Sequence, residues 1–330
     1  MNEYLNDIEK LDNKPSNWDE VKLRVEKLCE GINRAVESEF RGMYSSAYRT
    51  IKNQMDGYED KSETISALST STHIHNVQPD TEFFRMRLVS NEERNPLKPK
   101  DMFHIPFDKR GKMKTQRYSV PGHPCLYIGY SIYGSWEEMS RPTFENCMVS
   151  ILVNTAEIKT LDLRIPTVDK WNRDMTECLL LYPLILSCMI QVKDSKDDFK
   201  PEYIIPQLIM EWLIVHNFHE RPERRIHGIL YTSAHKNEDF GYPIEKLENI
   251  AMPTIDTLAT KGFCKKLSSI FRISKQTYNE FERLKHGTQL AWEPDPMATD
   301  PNPIRINNYR VSDFCIPESY VHDYPTECVI

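Results

Sequence analysis

The sequence predicts an α+β protein in which a pair of N-terminal helices precedes a core of strands and helices. Two observations predict it. The first 56 residues carry apolar residues at helical spacing, and from about residue 81 short β-type runs alternate irregularly with helices. Neither GxGxxG nor GxxxxGK[ST] occurs in the chain, which disfavours a Rossmann or P-loop site.

The N-terminal helices come first in the chain. In residues 18–38 the apolar residues follow a mainly helical spacing, with Ser16 or Asn17 available as an N-cap. A second helix is predicted over 40–56, and we expect the two to form a hairpin. The Ser/Thr-rich residues 58–80 are typical of a connection, so we place a domain boundary after residue 80.

The predicted core follows from residue 81. Helices are predicted at about 132–140, 174–190 and 202–217. Strands are predicted at 83–89, 125–130, 147–154, 158–164, 226–233, 248–253 and 265–273. Because the chain becomes proline-rich near residue 292, we divide it into a core domain over 81–290 and an irregular extension over 291–330.

Composition excludes several classes of partner. The chain has 42 Lys+Arg against 49 Asp+Glu, a formal net charge of -7, so direct binding to nucleic acid or to an anionic membrane surface is not expected. Its N-terminus lacks the basic-then-apolar order of a signal peptide, and no apolar run approaches the roughly 18 residues of a membrane span. These features predict a cytoplasmic protein.

The cysteines and histidines do not predict a metal site. The eight cysteines contain no CxxC pair and lie at no zinc-ligand spacing from a histidine, so reduced thiols in a core are expected. The pairs His73/His75 and His216/His219 lack the HExxH pattern.

The stretch RYSVPGHPCLYIGYSIYGSWEEM, residues 117–139, concentrates residues that suit an anion. Its VPGHP turn lets Gly122 adopt a conformation closed to other residues and leaves backbone N–H groups free. Arg117 lies just before the turn, and its guanidinium can bind two oxygens of a phosphate or carboxylate. A surface arginine in a salt bridge is the plainer alternative.

A buried strand and a short helix follow in the same stretch. Ser131 is predicted to cap the helix, and Tyr127 on the strand could then share a cleft with Glu138. Glu137 and Glu138 are about 100° apart on a helix, so at most one of them points inward. The alternatives are a core tyrosine and a solvated glutamate pair.

Two further stretches could contribute. Arg85 and Arg87 are two residues apart in the run FFRMRLV, so their side chains share one strand face and require an anion, an acid or solvent. Ser233 ends the apolar run GILYTS, a common place for a hydroxyl that lines a site, although a simple turn residue is the plainer interpretation.

In this order, the pieces FFRMR, RYSVPGHPCLYIGYSIYGSWEE, EYIIPQLIMEWL and HGILYTSAHKN resemble the RES-domain family over about 81–255. These bacterial toxin-type proteins are named for an arginine, a glutamate and a serine. The resemblance implies an ADP-ribosyltransferase-like mixed sheet and cleavage of the nicotinamide–ribose bond of NAD+, by phosphorolysis or hydrolysis. It implies NAD+ as substrate, inorganic phosphate as a possible co-substrate, and no cofactor.

Three positions match the name-giving residues of the family. The arginine matches Arg85 better than Arg87, the glutamate matches Glu138 better than Glu137, and the serine matches Ser233. We therefore predict Arg85, Glu138 and Ser233 as the catalytic residues.

Further family positions are matched less closely. Arg117 matches the arginine of a Gly-Arg-aromatic-Asn segment, but Gln116 and Ser119 replace its glycine and asparagine. Gln207 matches a helical glutamine that contacts substrate or only bridges to the site. The predicted substrate-binding set is Arg117, Gly122, His123, Tyr127, Arg87 and Gln207.

The chemistry of NAD+ cleavage fits these roles. The departing nicotinamide is neutral, so the barrier lies in forming an oxocarbenium-like ribose, which one carboxylate, Glu138, can stabilise. Arg85 and Arg117 would bind the pyrophosphate or an attacking phosphate, Tyr127 would stack on or wall the nicotinamide, and Ser233 would bind ribose or phosphate.

Two other functions compete with NAD+ consumption. They are transfer of ADP-ribose to a protein, and an inactive binding module. The segments before residue 81 and after about 255 could replace an antitoxin's cover, mediate homo-oligomers or sense a trigger, so an antitoxin or regulatory protein is an expected partner.

Overall fold

A computed structural model describes residues 7, 10, 14–56, 73–89, 98–143, 146–194, 196–234, 242–255, 258–275, 314, 315, 318, 321 and 325–329. The chain forms two compact units, each assembled from three segments. Unit 1 comprises Met1–Asn76, Lys112–His123 and Lys159–Tyr231. Unit 2 comprises Val77–Gly111, Pro124–Ile158 and Thr232–Ile330.

The described helices and strands are numbered in chain order. The α-helices are α1 (Trp18–Phe40), α2 (Tyr44–Asp56), α3 (Ile132–Glu138), α4 (Val168–Arg173), α5 (Met175–Cys188), α6 (Ile204–His219) and α7 (Lys265–Ser268). The strands are β1 (Ile74–Val77), β2 (Glu82–Leu88), β3 (Cys125–Gly129), β4 (Cys147–Asn154), β5 (Ile158–Leu163), β6 (Gly228–Thr232), β7 (Glu248–Pro253), β8 (Phe271–Ser274) and β9 (Thr326–Cys328). Short 3₁₀ helices cover Pro99–Met102, Phe107–Lys112, Pro201–Tyr203, Pro222–Arg224 and Ile244–Leu247.

Unit 1 contains the predicted helical hairpin. Gly42, with a φ of 72°, allows the tight reversal between α1 and α2. The buried stripe of α1, including Val21 and Val25, packs against Leu179 and Leu180 of α5. The strands of this unit run in the order β1-β5-β6, with β5 and β6 parallel.

Unit 2 is built on antiparallel strands in the order β7-β3-β2-β4-β8-β9. Every residue of β4 is buried, because a strand in the interior of a covered sheet is shielded on both faces. On one side of the sheet, Phe84 and Met86 of β2 form a core cluster with Ile132 and Tyr133 of α3. The predicted α+β class is confirmed by this combination of helices and a mixed set of strands.

Most predicted elements are confirmed, and the exceptions have local causes. The segment 265–273, predicted as one strand, is instead helix α7 followed by strand β8, with the turn at Ser269 separating them. Within 58–80, Ile74–Val77 forms a strand, and residues 57–72 lie outside the described residues. In the C-terminal extension, Phe314, Glu318 and Val321 are buried and β9 pairs with β8.

No helix among the described residues is both long enough and apolar enough to cross a membrane.

Candidate functional site

The junction between β3 and α3 is closely packed in unit 2. Ser131 caps α3, as predicted, because its Oγ accepts a hydrogen bond from the Gly134 N–H at 2.8 Å. A Cβ on Gly129 would lie 2.6 Å from Oδ1 of Asn249, and one on Gly134 would lie 2.6 Å from the Lys246 carbonyl oxygen. Glycine is therefore required at both positions to let α3 approach the strands.

Strands β2 and β3 of unit 2 have little backbone pairing. These strands share one paired position, Phe84 with Gly129, whereas β2 pairs with β4 along all seven of its residues. The paired position lies beside α3, since Ser135 Oγ donates to the Phe84 carbonyl at 3.4 Å. Beyond Phe84 the backbone ladder between β2 and β3 is not continued, and we call this break in the ladder the opening.

Arg85 lies where this opening begins. Its half-buried side chain crosses from β2 to β3, where Nη1 donates a hydrogen bond to the Tyr127 carbonyl at 3.0 Å. Because Phe84 and Met86 point toward α3, alternation directs Arg85 toward the opposite face of the sheet. The structure thus brings together two predicted site residues, Arg85 and Tyr127, at the opening.

The side chain of Tyr127 lies beside the Cys125 thiol. Burial raises the pKa of Cys125, while the positive charge of Arg85 and a hydrogen bond with Tyr127 act in the opposite direction. The thiol therefore lies beside the phenol and within the electrostatic influence of the Arg85 guanidinium. Since burial dominates, Cys125 is a neutral thiol and not a nucleophile at neutral pH.

The adjacent glutamates of α3 have different environments. Glu137 is 1% exposed and its Oε2 accepts a hydrogen bond from Arg141 Nε at 2.9 Å. Glu138 is half-buried, with its Oε1 shielded from solvent. Glu137 is therefore the more deeply buried of the two, and its carboxylate is held by an ion pair.

Ser233 and Arg87 occupy the other predicted positions in unit 2. Ser233 is fully buried directly after β6, and its N–H donates to the Leu247 carbonyl at 2.8 Å. Arg87 Nη1 donates to the Asp101 carbonyl at 2.9 Å, so this arginine holds the 3₁₀ helix Pro99–Met102 against β2. This contact does not support the predicted substrate role of Arg87, which stays a prediction.

Arg117 has a structural environment in unit 1. It is 4% exposed, and Nη1 donates to the carbonyls of Cys188 and Ile190 at 2.7 and 2.9 Å. Its guanidinium also lies 5.1 Å from the ring centre of Tyr203. The arginine thus satisfies carbonyls at the C-terminal end of α5, a task that competes with the predicted contact to an anion.

The Pro-Gly turn has the predicted backbone conformation. Gly122 has a φ of 77°, and the His123 N–H donates to the Val120 carbonyl at 3.0 Å, which closes the turn. The His123 N–H is therefore used inside the turn and is not an open donor. The predicted substrate contact of His123 stays a prediction.

The turn and Gln207 border a cavity of about 480 Å³ in unit 1. Gln207 Nε2 donates to the Gln116 carbonyl at 3.1 Å, a bridging contact that matches one of the two roles considered for it. The cavity is lined by three carboxylates, those of Glu39, Asp198 and Glu211, and by one ammonium, that of Lys200. The charge of this lining disfavours an anion beside the turn.

One residue of the α3 junction was missed by sequence reasoning. The buried carboxylate of Glu318 accepts a hydrogen bond from the Ile132 N–H at 2.7 Å, and its other oxygen lies 3.8 Å from Lys246 Nζ. An acid at the start of a helix is favourable, but it is supplied here from 186 residues away in sequence. A proline-rich extension offers no local signal for such a contact.

Metal binding has no structural support in the described part of the chain, where no group of three or more His, Cys, Asp or Glu side chains is arranged to hold an ion.

The chain is similar to a protein of Bacillus subtilis (strain 168) whose name is "Putative toxin YopC". The two are 32% identical over 288 residues, a match that covers 82% of this chain and 62% of that protein. The chain thus spans less than two thirds of this relative's length. No family model matches the chain, so the RES-domain resemblance stays a prediction. No solved structure matches it significantly.

Proposed function

We propose that this chain is a toxin that consumes NAD+ by cleaving the bond between nicotinamide and ribose. The name of the Bacillus subtilis relative supports the toxin role. The motif resemblance supports the NAD+ chemistry. The structural observation that carries the proposal is the opening between β2 and β3, which Arg85 spans to reach the Tyr127 carbonyl. A toxin of this kind requires neutralisation in the cell that makes it, so an antitoxin belongs to the proposal.

The positive charge of Arg85 at the opening suits the phosphates of a dinucleotide. A guanidinium binds phosphate oxygens in pairs, and the hydrogen bond of Nη1 to Tyr127 fixes the orientation of Arg85. Arg85 points away from the face that carries α3, whereas Glu138 belongs to α3. A substrate that contacts both would therefore have to reach across the opening between β2 and β3.

Glu138 is the carboxylate assigned to the ribose. Glu137 is paired with Arg141, and the motif resemblance assigns the ribose contact to Glu138. As the C1′–N1 bond breaks, its electron pair leaves with neutral nicotinamide, and Glu138 stabilises the positive charge that develops on the ribose. An oxygen of phosphate or water then bonds to C1′; with water, the released proton passes to solvent.

Tyr127 and Ser233 complete the proposed site. Tyr127 borders the opening and provides an aromatic wall for the nicotinamide ring. Ser233 follows β6 and offers its hydroxyl to a ribose or phosphate oxygen. Neither residue is asked to transfer a proton, because nicotinamide departs without one.

The test is incubation of the purified full chain with NAD+, with and without inorganic phosphate, and identification of the products by mass spectrometry. Phosphorolysis yields nicotinamide and ADP-ribose 1″-phosphate, whereas hydrolysis yields nicotinamide and ADP-ribose. We expect Glu138→Gln to lower turnover at least about 100-fold, since it removes the charge that stabilises the transition state.

Glu137→Gln is the matched control, because it makes the same change one residue away. We expect it to retain turnover and to lower the stability of the fold. Near-normal turnover by Glu138→Gln would sink the mechanism. Release of nicotinamide together with ADP-ribose attached to protein would indicate a transferase instead, and an inert wild-type chain would indicate a binding module.

A further inference from the structure

The acidic cavity of unit 1 has the features of a recognition site for a positively charged side chain. Its volume is about 480 Å³, and it is bordered by the end of α1, the start of α2, residues 198–200 and α6. The lining residues that matter here are Glu39, Tyr44, Asp198, Phe199, Lys200 and Glu211.

Exposed aromatic rings surround the cavity. Tyr44 and Phe199 line it with exposed fractions of 65% and 56%, and Phe40, 61% exposed, meets Phe199 edge to face at 5.9 Å. Met43, next to Tyr44, is 46% exposed. Single exposed apolar residues are ordinary, but several around one cavity are typical of an interaction surface.

In the described part of the chain, no cation is among the groups that shift the pKa of Glu39 or Glu211 in this cavity. Burial and the charge of Glu211 raise the pKa of Glu39, and burial raises the pKa of Glu211. Lys200 also lines the cavity, but its Nζ donates to the Asp197 carbonyl and forms no salt bridge with Glu39 or Glu211. The carboxylates therefore repel each other. A cation placed between them would offset the free-energy cost of burying their charges and would remove the repulsion.

We propose that this cavity is the docking site for a segment of a partner protein that inserts an arginine or lysine side chain between the rings and toward Glu39 and Glu211. Charge complementarity selects the cation, and the aromatic faces add cation–π attraction. The apolar rim extends beyond a single ammonium group, so the segment carries apolar residues next to its basic one. The proposal does not depend on NAD+ chemistry.

The test uses short synthetic peptides with a central arginine or lysine and leucine or phenylalanine neighbours, and the full chain. Binding is measured by fluorescence anisotropy against analogues in which citrulline or norleucine replaces the basic residue. We expect the neutral analogues to bind at least about tenfold more weakly, and the Glu39→Gln/Glu211→Gln variant to lose the same preference for charge.

The matched control is Glu30→Gln/Glu157→Gln, which removes two exposed carboxylates outside the cavity. It should bind like the wild type, while Phe199→Ser should weaken binding of all the peptides. Equal binding of charged and neutral peptides, or unchanged binding by Glu39→Gln/Glu211→Gln, would overturn the proposal. Sedimentation equilibrium measures the oligomeric state of the wild type and of Glu39→Gln/Glu211→Gln. A dimer of the wild type that dissociates in the variant would identify a second copy of the chain as the occupant and would also overturn the proposal.

Discussion

Residues 117–139 are continuous in sequence but contribute to two units with different electrostatic character. The part up to His123 belongs to unit 1, where the turn at Pro121 borders a cavity with three carboxylates and one ammonium. The part from Pro124 onward belongs to unit 2, where β3 borders the opening spanned by Arg85. The comparison teaches that neighbouring residues of one short stretch can have different structural environments, as Arg117 and Tyr127 do.

The two arginines make this contrast concrete. Both donate to backbone carbonyls, but Arg117 is buried against the end of a helix whereas Arg85 is half-buried at an opening between strands. A buried guanidinium with two carbonyl acceptors is typical of a structural residue. A partly exposed one beside an opening can still bind a ligand.

Replacing Arg117 by alanine tests the structural role of this arginine. We expect Arg117→Ala to lower the free energy of unfolding by about 2–4 kcal/mol, because the carbonyls of Cys188 and Ile190 lose a charged donor in a buried place. Urea denaturation followed by circular dichroism measures it. Arg221→Ala, at an exposed position of the same unit, is the control. Unchanged stability of Arg117→Ala would contradict the structural role and favour a ligand contact for Arg117.

His73 is expected to make unit 1 sensitive to acid. Burial and the charge of Lys170 lower its pKa from 6.5 to about 4, although Asp162 acts in the opposite direction. The unfolded chain therefore binds the proton more readily, and stability present above pH 6.5 is lost as the pH falls toward 4. The loss is about 3 kcal/mol from this residue.

The free energy of unfolding measured between pH 7 and pH 4 checks this expectation. His73→Gln should flatten the decline, even if it lowers stability at every pH. An identical slope in wild type and His73→Gln would show that the ring is accessible to protons in the folded protein.

Neutralising the acidic cavity should change the free energy of unfolding less, and should increase it. Because folding raises the pKa values of Glu39 and Glu211, their charged forms destabilise the folded state above the folded pKa values. Glu39→Gln/Glu211→Gln should therefore raise stability at pH 7 by less than about 1 kcal/mol, with the gain lost as the pH falls below their ordinary values. Thermal unfolding at pH 7 and pH 4 measures it. A destabilised variant at pH 7 would contradict the electrostatic account of the cavity.

Patterns within one element predicted the fold well, whereas contacts distant in sequence determined the site. The strands Cys147–Asn154 and Glu248–Pro253 have the predicted limits, because a continuous apolar run marks a strand buried on both faces. The cap at Ser131 was also predictable from local chemistry. The environments of Glu137 and Arg117 were not, since helical geometry cannot tell which of two adjacent glutamates is buried, and the acceptors of Arg117 lie 71 and 73 residues away.

The most direct test of the account compares NAD+ turnover in two variants, one from each unit. Arg85→Gln removes the charge at the opening of unit 2, and Glu39→Gln/Glu211→Gln neutralises the cavity of unit 1. With nicotinamide release as the readout, we predict at least about a 100-fold loss for Arg85→Gln and turnover within about twofold of wild type for the unit 1 variant. Full turnover by Arg85→Gln, or loss of turnover in the unit 1 variant alone, would contradict the assignment of NAD+ cleavage to the opening between β2 and β3.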